Sequence, residues 1–271
     1  MINNITFGQY IPGNSFFHKC DPRSKLIGVF WYVVLIFLCK SFFSLALVSA
    51  FTLISVIFSG VNLKTVLKSL KPVLIILIFT AIVNLFYTSG GEIIFAIRGF
   101  KITEKGVNTA VFTVLRIINL VVVSSLLTYT TTPTMLTDGI ERLLHPLTYL
   151  HINVGSLAMM MTLALRFIPT LIEEIQRIIN AQKSRGADFE NGGIVSRAKA
   201  LVPIFVPLII SSFRRAYELA FAMTARCYTG GNERTRMKQM KIKVRDIFVF
   251  VYCVVLTSGI IVLNRLFEAV L

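Results

Sequence analysis

The sequence predicts an all-α integral membrane protein: about five transmembrane helices, with a cytoplasmic domain of about three amphipathic helices inserted before the last span. Three observations carry that prediction. Of the 271 residues, 55% are hydrophobic and only 15% charged, where soluble domains carry about a quarter charged. Apolar runs recur at lengths that suit a bilayer, whose hydrocarbon core takes about 20 apolar residues as helix. The 28 Lys and Arg residues, against 13 Asp and Glu, crowd into some connecting segments and avoid others, as a fixed orientation requires. Disorder is excluded by the same composition, because 22 Phe and long Val/Ile/Leu runs have to be buried.

The spans follow in order. From 26 to 59 the only charge is Lys40, and those 34 residues as one helix would run roughly 51 Å. That is too long for a single crossing, so the stretch reads as two short helices, 26–39 and 42–59, folded back at Lys40-Ser41. A third span covers 72–88, opened by Pro72 at a first helical position and closed by Gly90-Gly91. The fourth covers 107–129, interrupted by Arg116, and the fifth 247–264. Two further apolar stretches, 154–165 and 201–213, are short, and the second carries Pro203 and Pro207. If both crossed, Arg177, Lys183, Arg185, Arg197 and Lys199 would lie outside, against the positive-inside rule. They are placed on the cytoplasmic side, dipping into the interface or packing on each other.

The domains are then an N-terminal membrane region 1–129 with four spans, a cytoplasmic segment 130–246, and a last span within 247–271. With the N-terminus inside, 22 of the 28 Lys and Arg fall in the inner segments 1–25, 60–71 and 130–246, and five fall outside. This favours a cytoplasmic N-terminus and an extracytoplasmic C-terminus. The first 25 residues lack the pattern of a secretory signal. In so apolar a chain the basic excess suits anionic headgroups of the bilayer rather than nucleic acid. No Asp or Glu lies inside the five spans, which argues against an ion-coupled carrier. Arg116 is the one intramembrane charge, read as snorkelling outwards rather than binding substrate.

Residues 130–246 are too long for a loop. Thr132-Pro133 reads as a cap and first-turn proline opening a helix towards Tyr149. A second helix covers about 156–185, with Leu163, Phe167, Leu171, Ile175, Ile178 and Ile179 on one face and Pro169 as a kink. It ends in Ser184-Arg185-Gly186, Gly186 suiting a left-handed cap. A third helix, about 211–226, ends in Ala225-Arg226-Cys227. Each carries an Arg among small residues in its last turn. Macrodipole complementarity accounts for either one alone, at about 0.3–1 kcal/mol. The alternative is a slim tip that enters a partner's groove and grips it with guanidinium donors.

Enzymatic motifs are missing. There is no phosphate loop of the Gly-x4-Gly-Lys-Ser/Thr type and no Gly-x-Ser-x-Gly. His18, His145 and His151 form no metal spacing, and Cys20, Cys39, Cys227 and Cys253 include no Cys-x-x-Cys. No catalytic residue, cofactor site or metal site is expected.

These residues resemble the transmembrane T component of energy-coupling factor (ECF) transporters over nearly the whole chain. Gly8-Gln9-Tyr10, Ser15, His18 and Asp21-Pro22-Arg23-Ser24-Lys25-Leu26 are similar to the family's opening signature. The run from Leu163 to Leu171 resembles its second, and Arg185-Gly186 with Ala225-Arg226-Cys227 its paired tip motif, Ser184 standing where relatives usually carry Ala. The resemblance implies a non-catalytic subunit of an ATP-driven importer in a bacterial cell membrane. Its partners would be two ABC ATPase subunits, gripped through Arg185 and Arg226, and a membrane-embedded vitamin-binding S component pressed by the coupling helices. A cobalt- or nickel-type ECF permease subunit and a conventional ABC permease carrying substrate itself are the alternatives.

Overall fold

The apolar stretch 26–59 folds as two helices, as its length requires. The computed structural model describes residues 10–88, 90, 93–97, 100–151, 153–187, 193–228, 230 and 244–267. Helix α1 (Pro22–Leu38) starts on Asp21, whose carboxylate accepts from the Arg23 N–H at 3.0 Å, with Pro22 in its first turn. It stops at Cys39, and Ser41 opens α2 (Phe42–Ser59) with a reciprocal capping box to Ser44. Gly60, at φ +65°, closes α2.

The third span begins earlier than Pro72. Asn62 caps α3 (Leu63–Leu70), a single 3-10 turn follows at Lys71–Val73, and α4 (Leu74–Tyr87) continues the helix. Pro72 has no N–H to donate and its ring crowds the carbonyl four residues back, so the chain tightens locally instead of starting there. Beyond α4 lies a hairpin absent from the sequence reading: β1 (Ile93–Ile97) pairs antiparallel with β2 (Phe100–Thr103). Thr103 then caps α5 (Glu104–Thr130) through the Gly106 N–H.

Residues Gly8–Gly139 and Lys238–Leu271 form one compact unit, and Ile140–Met237 belongs to a second. The core of the first joins α1, α2, α5 and α9 (Val244–Leu266) through Tyr32, Ile36, Leu45, Val48, Phe112, Leu256 and Ile260. A polar seam runs through it with its groups paired to one another. Tyr32 donates to Thr52, with the Val48 carbonyl 2.9 Å from the same phenolic oxygen; Thr52 donates to Asn119 Oδ1 at 2.6 Å, and Asn119 donates to Ser49 Oγ at 2.9 Å. Arg116 does not simply snorkel: its Nη2 donates to the Cys39 carbonyl at 2.9 Å, and its guanidinium lies 4.7 Å from the Phe112 ring centroid. It therefore satisfies a carbonyl at the end of α1 that has no helical donor.

In the second unit, α6 (Pro133–Leu144), which straddles the boundary, opens on Thr132 as expected, its Oγ1 accepting from the Met135 N–H. A 3-10 turn, His145–Leu150, contains Pro146. Helix α7 (Val154–Ser184) runs unbroken through Pro169. Helix α8 (Ile194–Ala225) is far longer than the expected 211–226 and passes through Pro203 and Pro207. Pro207 cannot donate to the Pro203 carbonyl, and Gln182 Nε2 on α7 stands 3.5 Å from that oxygen instead.

Five helical stretches among the described residues are long and apolar enough to cross a membrane: α2, α3 with α4, α5, α7 and α9. At 17 residues α1 lies at the short end of the range of about 17–25 that a span needs. Apart from the hairpin, this is the all-α membrane architecture the sequence predicts.

Candidate functional site

The two arginine motifs close their helices in the same way. At the end of α7, the Gly186 N–H donates to the Lys183 carbonyl at 3.0 Å and the Ala187 N–H to the Gln182 carbonyl at 3.0 Å. At the end of α8, the Cys227 N–H donates to the Thr224 carbonyl at 2.9 Å and the Tyr228 N–H to the Met223 carbonyl at 3.0 Å. Each is a Schellman closure, with one residue in the left-handed region and reversed hydrogen bonds that satisfy the last carbonyls. Gly186, at φ +86°, and Cys227, at φ +57°, hold the left-handed positions. Arg185 and Arg226 hold the equivalent position just before, with φ near −87° and −99°.

The closure has a consequence for the arginines. Each is the C-cap residue, so its Cα stands at the very end of the helix rather than along its body. Ser184, Arg185 and Gly186 are exposed, and so are Ala225, Arg226 and Cys227. Ser184 Oγ is turned back to the Asn180 carbonyl at 3.1 Å. Neither guanidinium has a hydrogen-bond or ion-pair partner among the described residues. Further back along α7 the carboxylates are engaged within the helix pair: Glu173 with Arg177 at 3.8 Å, and Glu174 with Arg215 at 2.7 Å and with Ser211.

The tips are not brought together. Glu174 meets Ser211 and Arg215, while Gln182 meets Pro203, so α7 and α8 run antiparallel. Arg185 and Arg226 lie beyond the Glu174 contact at opposite ends of the pair, roughly 16 and 19 Å out along their own helices at 1.5 Å per residue. From 201 onward one stripe of α8 faces inward, through Ile204, Leu208, Ser211, Arg215, Leu219 and Met223. Outside that stripe Val202, Phe205, Phe213, Tyr217 and Phe221 are all more than half exposed, with Arg214 and Glu218 exposed beside them. The sequence marks 201–213 as an apolar stretch but not as one face of a longer helix; Val202, Phe205, Val206, Ile209, Phe213 and Tyr217 recur at three- to four-residue spacing and are the signal for it.

The opening signature is structural where it is described; Gly8 and Gln9 lie outside the described residues. His18 links Ser15, at Nδ1, to the Ile11 carbonyl, to which Nε2 donates at 2.9 Å. Cys20 is buried, its thiol pushed up by desolvation first and the Asp246 carboxylate second. No group of three or more His, Cys, Asp or Glu side chains converges on a metal position among the described residues.

A family model described as cobalt transport protein (CbiQ) matches residues 13–237. The energy-coupling factor transporter transmembrane protein EcfT of Ruminiclostridium cellulolyticum is 48% identical over 267 residues, 98% of this chain and 100% of that protein. The chain belongs to this EcfT family. The EcfT proteins of Brevibacillus brevis and Bacillus subtilis are 49% and 43% identical, over 94% and 95% of this chain and 97% of each relative. A transporter protein of the membrane, with several apolar helices, is what EcfT membership and the fold jointly describe. The tips of α7 and α8 fall inside the region that the family model matches.

Proposed function

We propose that this EcfT-family chain is the coupling subunit of an ECF-type importer, carrying ATP-driven motion from two ATPase subunits to a membrane-embedded S component that binds a vitamin. Arg185 and Arg226 are the contacts to the ATPases, one groove each. The uncovered apolar face of α8 presses on the S component. Residues 130–246 and the N-terminus lie on the cytoplasmic side and the C-terminus outside. Hydrolysis belongs to the partners, and this chain holds neither nucleotide nor vitamin.

The observation that carries this reading is the pair of matched Schellman closures, each ending on an exposed arginine that has no partner among the described residues. A cation that only complements a helix dipole needs no such duplicated geometry. Tips at opposite ends of the α7–α8 pair suit two grooves rather than one. Their placement also bears on α7, which is apolar enough to span. Were α7 and its antiparallel neighbour to cross the membrane, the two tips would emerge on opposite sides and could not both meet cytoplasmic ATPases.

Replacing both arginines by Glu tests this. Charge-assisted hydrogen bonds worth about 1.5–3 kcal/mol each would be lost, and the wrong charge would enter each groove. The double variant should insert normally, yet fail to retain ATPase subunits on purification and fail to take up a mixture of tritiated biotin, thiamine, riboflavin and folate. Normal retention together with normal uptake would overturn the assignment. A second reading is favoured by the description of the matching family model as cobalt transport protein. The coupling role is then the same and the partner binds a metal ion; uptake of radioactive cobalt in place of the vitamins would select it.

A further inference from the structure

The first turn of α1 carries charges for which coupling through the helix tips has no use. Asp21, Lys25 and Asp246 are respectively 8%, 5% and 1% exposed, and burying charge is costly unless every group is held. Each is held at a helix end. The Asp21 carboxylate caps α1, and the Asp21 N–H donates at 2.8 Å to Asp246 Oδ1 in the first turn of α9. Lys25 Nζ donates at 3.0 Å to the carbonyl of Thr130, the last residue of α5, and at 3.3 Å to Thr131 Oγ1.

These helix ends are where the chain leaves the first unit and returns to it. That unit is left after Gly139 and re-entered at Lys238. The outgoing segment starts at Thr131, directly after α5, and the returning one runs into α9 two residues before Asp246. Gly139, the last outgoing residue, lies on the same turn of α1: a Cβ there would stand 3.2 Å from Pro22 Cβ and 3.2 Å from Leu26 Cδ1. One turn, from Asp21 to Leu26, thus holds both attachments of the inserted segment, through Lys25 and Gly139 on the way out and Asp21–Asp246 on the way back. Apolar packing would join three helix ends as firmly. The buried Lys25 ammonium and the buried Asp246 carboxylate fix their register as well, because a shift of α5 or α9 against α1 breaks a hydrogen bond that holds one of these charges.

We propose that this turn is the clamp through which displacement of the inserted segment reaches the membrane helices, with Lys25 and Asp246 as positioning residues. The clamp rests on the coupling role described above. Lys25 fixes the outgoing attachment and Asp246 the returning one, so force on either arrives at α1.

The test uses the complex as purified with its ATPases. Lys25→Met keeps the length and burial of the side chain and removes its charge and donors. ATPase retention and ATP hydrolysis should stay close to those of the parent, while uptake of the tritiated vitamin mixture per ATP falls about tenfold, as the loss of two charge-assisted bonds at one site suggests. Amide hydrogen exchange should quicken in 128–139 and 244–250 together, with α2 unchanged. Should Lys25→Met fail to fold, Thr131→Val removes one acceptor and leaves the charge, and the same pattern is expected at smaller amplitude. Unchanged exchange at 244–250 would overturn the clamp, and so would faster exchange with unchanged uptake per ATP. Failure of the coupling role itself reads differently: the Arg185→Glu, Arg226→Glu variant would transport normally, whatever the exchange at the clamp.

Discussion

Exchanging the residue types at the two left-handed positions should move the two helix ends in opposite directions. Gly186 sits at φ +86° with nothing within 4 Å of a built Cβ, so Gly186→Ala introduces backbone strain and no clash. Cys227 already carries a Cβ at φ +57°, and Cys227→Gly releases the same kind of strain. An L-residue in the left-handed region costs about 1–2 kcal/mol, of which glycine's greater freedom in the unfolded chain returns part. The net expectation is about 1 kcal/mol at each site, or roughly fivefold in a local opening equilibrium. The reporters are the amides of Ala187 and Tyr228, whose bonds to the Gln182 and Met223 carbonyls complete the closures. In hydrogen exchange corrected for intrinsic rates, Ala187 should exchange about fivefold faster in Gly186→Ala and Tyr228 about fivefold slower in Cys227→Gly. Shifts of the same sign, or none at either site, would refute the equivalence of the two ends.

Two further outcomes follow from the membrane unit and the exposed thiol. Arg116→Met leaves the Cys39 carbonyl without its donor and should lower the thermal midpoint in detergent, by the equivalent of about 1.5–3 kcal/mol; an unchanged midpoint would remove Arg116 from the list of structural groups. In a variant keeping Cys227 alone, a membrane-impermeant maleimide should label only permeabilised cells, and labelling of sealed cells would reverse the proposed orientation. Cys20 is a poor site for that experiment, because burial both hides the thiol and holds back its ionisation.

Much of the fold is legible because a bilayer restricts the choices. The break at Cys39–Ser41 follows from length alone, and Asp21-Pro22 and Thr132-Pro133 are helix starts whose chemistry is local. Gly186 is legible as a helix end for the same reason. Cys227 is not, since nothing about cysteine favours positive φ; only its place beside Arg226 marks it. The length of α8 is hidden by Pro203 and Pro207, which ordinarily argue for a break, and the amide that reaches the freed carbonyl comes from Gln182, 21 residues earlier. The early start of the third span and the hairpin at 93–103 are missed because proline and short β-branched runs are weak, ambiguous signals. The clamp was invisible for a different reason. Its parts come from residues 21, 25, 130, 131, 139 and 246, and no spacing in a sequence announces a meeting across more than 200 positions.

The bare face of α8 makes the chain an incomplete solute. Val202, Phe205, Phe213, Tyr217 and Phe221 add up to an apolar strip along several turns, which water penalises until lipid, detergent or another protein lies over it. A copy made ahead of whatever covers that strip advertises its solitude to the chaperones and proteases that survey membrane proteins. On that argument, covering the strip lengthens the life of each copy, and a shortage of cover shortens it.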